Sequence, residues 1–181
     1  VRTYKKLKMY VHAEQVSNAQ PLNDEDLTVF IRLGTDFTEN YYEYEMPLTL
    51  SPWYNNNENS VWPEANNVEI IFDDLLDLKK KRNKITEDPN STLLNTSEYS
   101  IVDPANPKRM LRVKGSPNLQ GIRSIMVGIR NPSKTDENPW ADDGLAKCVN
   151  VWINELRLSD FQNDGGSAAV ARMQVQAADF A

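Results

Sequence analysis

The sequence predicts a mainly β chain: an antiparallel two-sheet β-sandwich of jelly-roll type, with one helix at about residues 66–82 in an insertion. Three observations carry that class. Leu27, Val29, Ile31 and Leu33 recur at a spacing of two and so share one face of an extended strand, with Thr28 and Arg32 on the other. After the break at Gly34-Thr35-Asp36, Tyr42, Tyr44 and Met46 alternate with Glu43 and Glu45, which makes a hairpin-like pair of half-buried strands. The same alternation returns several times along the chain between long polar connections, with a single helical period among them.

Taken in order, Leu7, Met9, Val11 and Ala13 alternate with Lys6, Lys8, Tyr10 and His12, a strand whose outer face starts basic. Asn18 to Asp26, with Pro21 and an Asp-Glu-Asp cluster, reads as a polar connection. The tyrosine strand ends at Pro47, which donates no ladder hydrogen bond, so Leu48 to Leu50 is an edge or a strand terminus. Ser51 to Asn67 is an asparagine-rich loop carrying Trp53, Tyr54 and Trp62. From Val68 to Arg82 the period becomes helical: Ile71, Leu75 and Leu78 share a face, with Phe72 and Leu76 on its flank. Glu69, Asp73 and Asp74 come first and Lys79 to Arg82 last, the charge order that opposes the helix dipole. The β-branched run Val68 to Phe72 competes for strand. Ile85 to Pro107 is polar and proline-punctuated, with a short strand at Tyr99 to Val102. Met110 to Lys114 reads as strand, Gly115 to Asn118 as turn, and Ile122 to Arg130 as a strand with Ile125, Val127 and Ile129 inward. Asn131 to Gly144 is a loop, and Cys148 to Leu158 a strand with Val149, Val151 and Ile153 on one face and Asn150, Trp152 and Asn154 on the other.

The expected organisation is a β-sandwich domain over 1–166, with long loops at 51–67, 85–107 and 131–144, followed by an alternating terminal strand over 167–181. In that ending Ala169, Ala171, Met173, Val175 and Ala177 face away from Arg172, Gln174 and Gln176. This suits the start of a barrel strand with a wet lumen and a soluble-sheet strand equally. Opening on Val1 in mid-pattern suggests a piece of a longer polypeptide.

With 181 residues the chain can bury roughly 70% of its unfolded surface, enough for a core without staples. Cys148 is the single cysteine and His12 the single histidine, so no internal disulfide forms and soft ligands are too few for structural zinc. A net charge of −6 argues against nucleic acid as a partner. No run of 18 apolar residues occurs, hence no membrane-spanning helix is expected.

Chemistry is sparsely signposted. A cysteine or serine nucleophile needs a base oriented by a third group, and His12 sits on a strand face as a structural or surface histidine. Cys148 reads as a small buried or half-buried side chain. Gly34-Thr35-Asp36 lacks the spacing and following helix of a dinucleotide site. Glu43 and Glu45 are two apart, with Cβ atoms roughly 7 Å from each other, compatible with a glycoside hydrolase if their face were a cleft. The simpler expectation for both is a solvated outer face. Trp53, Tyr54, Trp62, Trp140 and Trp152 could stack on sugar rings, the signature of a carbohydrate-binding module. Asp24-Glu25-Asp26 and Asp142-Asp143-Gly144 could hold calcium, but neither has ligands at regular alternating positions, so solvated turns are expected. No catalytic residue, cofactor or metal site is assigned.

Tyr4 to Glu14, Leu27 to Leu48 with its Phe-Ile-Arg-Leu-Gly-Thr-Asp and Asn-Tyr-Tyr-Glu-Tyr-Glu words, and Val151 to Phe161 resemble the SprA (Sov) family of gliding-motility proteins. The likeness runs to the closing Ala177 to Ala181 and lapses in the loops near 52–62, 83–108 and 133–146. What the resemblance implies is a non-catalytic domain of a giant β-barrel, the outer-membrane translocon of the type IX secretion system. The implied partners are other translocon subunits and secreted cargo proteins, and the implied place is the outer membrane. Trp53, Tyr54, Trp62 and Trp140 are the candidate partner or glycan contacts.

Overall fold

In the computed structural model, residues 4–16, 21–52, 56–132 and 145–161 are described. They form two antiparallel sheets. The strands are β1 (Tyr4–Gln15), β2 (Thr28–Gly34), β3 (Tyr41–Pro47), β4 (Val68–Ile71), β5 (Tyr99–Asp103), β6 (Asn106–Lys114), β7 (Ser124–Arg130) and β8 (Val149–Phe161). The smaller sheet has the order β4-β1-β8 and the larger β5-β6-β3-β2-β7. Two α-helices, α1 (Glu58–Val61) and α2 (Phe72–Thr86), and short 3-10 turns at Glu64–Asn66 and Leu119–Gly121 complete the described elements. None of the helices among the described residues is long and apolar enough to cross a membrane.

The core lies between the sheets, where alternation placed it. Leu7, Met9, Val11 and Ala13 from β1 meet Val29, Ile31 and Leu33 from β2 and Tyr42, Tyr44 and Met46 from β3, all buried. The β2–β3 hairpin is in register from Thr28 opposite Pro47 to Gly34 opposite Tyr41, so the proline falls at the strand end, where a missing donor costs nothing.

The helix is displaced from the expected 66–82. Val68–Ile71 pairs with Lys6–Met9 as β4, and the helix runs over Phe72–Thr86. Edge pairing against β1 decided between two periods that the β-branched run left close, because it satisfies backbone groups and buries Val68 and Ile70 at once. The buried stripe of α2 is Phe72, Leu75, Leu78 and Arg82, while Leu76 is exposed. Arg82 is therefore not one more solvated charge at the helix end. Its guanidinium donates to the carbonyls of Asn95 (2.9 Å) and Gly115 (2.7 Å), tying the helix to two turns. Gly115 sits at φ +65°, the left-handed region, against the Glu39 carbonyl, so the turn requires glycine.

Two further differences are boundary effects. The short strand expected at Tyr99 to Val102 is present as β5, while the start of β6 falls inside the expected loop 85–107, the two joined by a tight turn in which Asp103 accepts from the Ala105 amide. Loop 51–67 carries α1 and a 3-10 turn. Residues 167–181, and with them the expected terminal strand, lie outside the described residues.

Candidate functional site

The outer face of the larger sheet is closed by charge. Register sets Arg32 opposite Glu43, Glu43 opposite Arg112, Phe30 opposite Glu45 and Thr28 opposite Arg130, so one carboxylate row runs between cations on three strands. Glu43 accepts from Arg32 Nε (2.9 Å), Arg112 Nη1 (2.9 Å) and Arg130 Nη2 (3.1 Å). Glu45 accepts from Arg112, Arg130 and the Thr28 hydroxyl. Arg130 also lies over the Phe30 ring at 4.5 Å, and that ring fills the space above Gly128, where a Cβ would come 2.5 Å from Cζ of the ring. Glu43 and Glu45 are 1% and 2% exposed, which corrects the expected solvated face. Alternation identified the side of the sheet correctly and said nothing about what covers it. Both carboxylates are engaged by arginines from the neighbouring strands, Glu43 by three and Glu45 by two.

A different surface is concave. The outer face of β1 is roofed by the segment around α1. His12 Nδ1 donates to the Val61 carbonyl (2.6 Å), which the Ser51 hydroxyl also reaches (3.1 Å). That short contact to a carbonyl fixes the proton on Nδ1. The ring stacks on Trp152, its cross-strand neighbour, at 4.5 Å, and meets Trp62 edge-on at 5.9 Å. His12 is thus a buried structural histidine, 3.5 Å from Glu14. Trp62 is half-buried, and its ring tilts toward Tyr10 at 6.4 Å. Beside the two rings opens a cleft of about 590 Å³, walled by Glu58, Glu64, Glu155 and Asn154. Arg157, the cation nearest Tyr10, is committed to Glu155 (2.8 Å) and the Tyr10 hydroxyl.

The third feature is an apolar strip of exposed side chains at two sheet edges. β7 and β8 lie on the same side of the sandwich, each at a sheet edge. Between them Leu7, Leu33, Phe72, Ile125, Leu156 and Leu158 line an apolar gap of about 300 Å³. A bulge arranges this. Met9 of β1 faces two residues of β8, Glu155 and Leu156, with Glu155 at φ 53°. The extra residue shifts the alternation by one, so Leu156 and Leu158 continue the inner face begun by Val149, Val151 and Ile153.

Of the expected contacts, Trp62 stands at the cleft, whereas Trp53, Tyr54 and Trp140 lie outside the described residues. Tyr10, Glu58 and Glu64 were not singled out in the sequence, because each belongs to a pattern with an ordinary explanation: a strand's outer face or a polar loop. Cys148 is exposed and precedes β8, a correction to the half-buried side chain expected. Asp24 and Asp26 are engaged in the fold, accepting from the Leu50 amide (2.7 Å) and the Asn23 amide (2.9 Å), and Glu25 pairs with Lys108. Asp142 to Gly144 lie outside the described residues. Among the described residues no group of three or more His, Cys, Asp or Glu is placed to hold a metal ion.

The described residues thus make a two-sheet β-sandwich with its paired acids held in a salt-bridge lattice, an aromatic and acidic cleft, and an apolar strip along two sheet edges. The chain belongs to the SprA_N family, described as motility related/secretion protein, whose model matches residues 1–181. No curated protein matches it.

Proposed function

We propose that this chain is a non-catalytic structural and interaction domain of the outer-membrane translocon of the type IX secretion system, supporting protein secretion and gliding motility. Its partners are other translocon subunits and secreted cargo. The whole-chain family match supports the secretion and motility setting. The observation that carries the interaction role is the strip on β7 and β8. Ile125, Ile153, Leu156, Leu158 and Phe161 are 39–60% exposed along two neighbouring edges, a contiguous apolar surface of the kind that marks a protein contact. Substituting Leu156→Asp together with Phe161→Asp in the parent protein tests this. The 181-residue chain should stay folded by circular dichroism, while cargo secretion and gliding fall. Normal secretion with the doubly substituted protein refutes the assignment of that strip.

A carbohydrate-binding β-sandwich module is the second reading, favoured by the Tyr10 and Trp62 rings beside amide side chains in the cleft. Glycan-array binding that disappears with Trp62→Ala would establish it, and a blank array would remove it.

A further inference from the structure

On the side of the sandwich away from β7 and β8, a second cavity of about 270 Å³ opens between β4, β6 and the first turn of α2. It shares Glu64 and Asn67 with the Trp62 cleft, so the two are adjoining compartments of one groove. The second compartment is strongly acidic. Glu64, Glu69, Asp74 and Asp103 line it, with Arg109 as the basic residue among them. Glu69 is taken up by Lys6 (2.7 Å) and Lys8 (3.0 Å) on the neighbouring strand. Glu64, Asp74 and Asp103 have no ion pair among the described residues. Burial, and then the neighbouring Asp103, push the Asp74 carboxyl above its ordinary value, as expected where negative charge is crowded and uncompensated.

An independent observation points to a missing contact. Tyr44 lines this cavity, is 2% exposed, and its hydroxyl has no hydrogen-bond partner within 3.5 Å among the described residues, with the Arg109 guanidinium, 6.0 Å from the ring centroid, the charge that faces it. A buried hydroxyl left unsatisfied is costly, and natural folds rarely keep one without a use. Burial also raises the Tyr44 phenol well above its ordinary value, so the group stays a neutral hydroxyl able to donate or accept.

The ligand these groups fit is an extended organic cation. The carboxylates surround a volume much larger than a metal ion and do not converge as metal ligands among the described residues. An ammonium or guanidinium on a flexible apolar stem matches three unpaired carboxylates and a phenol hydroxyl. The adjoining compartment repeats the chemistry with Glu58 and Glu64, and its Trp62 and Tyr10 rings supply faces for a second cation. Asn67 at the shared wall, and Asn154 beyond it, offer the paired donor and acceptor that a backbone amide requires. We propose that this groove binds an extended polypeptide segment carrying lysine or arginine at successive positions, one cation in each compartment. The inference goes beyond the secretion reading and does not rest on it.

The probe is a capped Ala-Lys-Ala-Lys-Ala-Lys peptide titrated into the 181-residue chain, followed by calorimetry and by tryptophan fluorescence, with the matching Ala-Gln peptide and a neutral oligosaccharide alongside. The lysine peptide should bind at least about tenfold more tightly than the glutamine peptide, and the difference should shrink as salt rises from about 0.05 M to about 0.5 M. Glu64→Gln, at an exposed residue shared by both compartments, should weaken lysine-peptide binding about three- to tenfold without altering the melt. Tyr44→Phe should weaken binding while leaving thermal stability equal or higher, because the hydroxyl it removes has no hydrogen-bond partner within 3.5 Å among the described residues. Equal binding of the lysine and glutamine peptides, no lysine-peptide binding at millimolar concentration, or capture of the oligosaccharide alone would each overturn the proposal.

Discussion

Replacing Glu43 by glutamine tests the salt-bridge lattice directly, because it preserves shape and removes one charge. Glu43 is 1% exposed and receives Arg32, Arg112 and Arg130, while Glu45 next to it receives the last two. After the substitution Arg32 loses its carboxylate, Arg112 and Arg130 are left with Glu45, Arg112 also keeping Glu98, and the amide NH2 of glutamine turns a donor toward other donors. Removing one partner from a buried ion pair costs about 3–5 kcal/mol. The guanidinium groups are 15–32% exposed and can swing partly into water, so the lower end applies, about 3 kcal/mol. For a chain of this size that lowers Tm by about 6–12 °C. Thermal and urea melts followed by far-ultraviolet circular dichroism measure it, with Glu69→Gln as the control. Glu69 pairs with Lys6 and Lys8 at 36% exposure, where ion pairs contribute at most about 1 kcal/mol. If Glu43→Gln costs no more than Glu69→Gln, the lattice does not hold the outer face together. A catalytic role would produce the reverse pattern, an intact fold with lost hydrolysis.

Three further outcomes follow from the geometry. Arg82→Met should destabilise by about 2–4 kcal/mol in urea melts, since it strands the Asn95 and Gly115 carbonyls, and Arg82→Lys should recover less than half, because one ammonium cannot serve a forked pair of acceptors. Asp36 accepts from the Asn40 side chain and from the amides of Thr38, Glu39 and Asn40, which holds its carboxyl far below the ordinary 3.8; its contribution is therefore full above that pH and is lost as pH falls beneath it, visible as shifts of those three amides in an NMR acid titration that Asp36→Ala removes. Deleting Glu155 removes the extra residue of the bulge and its φ of 53°, leaving a regular ladder in which Leu156 still faces Met9 and Leu158 still faces Leu7; the urea midpoint should therefore hold or rise, whereas a loss of about 2 kcal/mol, what these two side chains together contribute, refutes the register given to the bulge.

The sandwich was legible in the sequence because its core obeys a period of two on most strands. Leu7 to Ala13, Leu27 to Leu33 and Tyr42 to Met46 point inward as their spacing requires. The helix was harder to place. Val68 to Ile71 satisfies a strand's preference for β-branched residues while also fitting the apolar stripe of α2, and only the presence of β1 as a pairing partner separates the two. Arg82 shows a different limit. It sits at the end of a basic run whose charge order suits the helix dipole, and nothing local distinguishes a solvated arginine from one that receives two distant carbonyls. The groove was partly visible through Trp62. Tyr10, Tyr44 and Asp103 reach it from three strands, and their convergence depends on sheet order rather than on any spacing along the chain.

The two acidic features of this molecule differ in a way that composition cannot express. On the larger sheet, Glu43 and Glu45 stand in register with arginines on flanking strands, and the pairing seals a face that would otherwise be wet. Along the groove, Glu64, Asp74 and Asp103 come from a loop, a helix start and a strand end, where no ladder brings a cation opposite them. Carboxylates fixed by register are therefore spent on the fold, while carboxylates gathered at element ends keep their charge available to a ligand. The orphaned Tyr44 hydroxyl belongs to the second set, although its residue lies on the same strand as Glu43 and Glu45 and points to the opposite face. One strand thus carries the lattice on one side and, at Tyr44, reaches the groove on the other, so Glu43→Gln should lower stability while Tyr44→Phe should lower peptide binding.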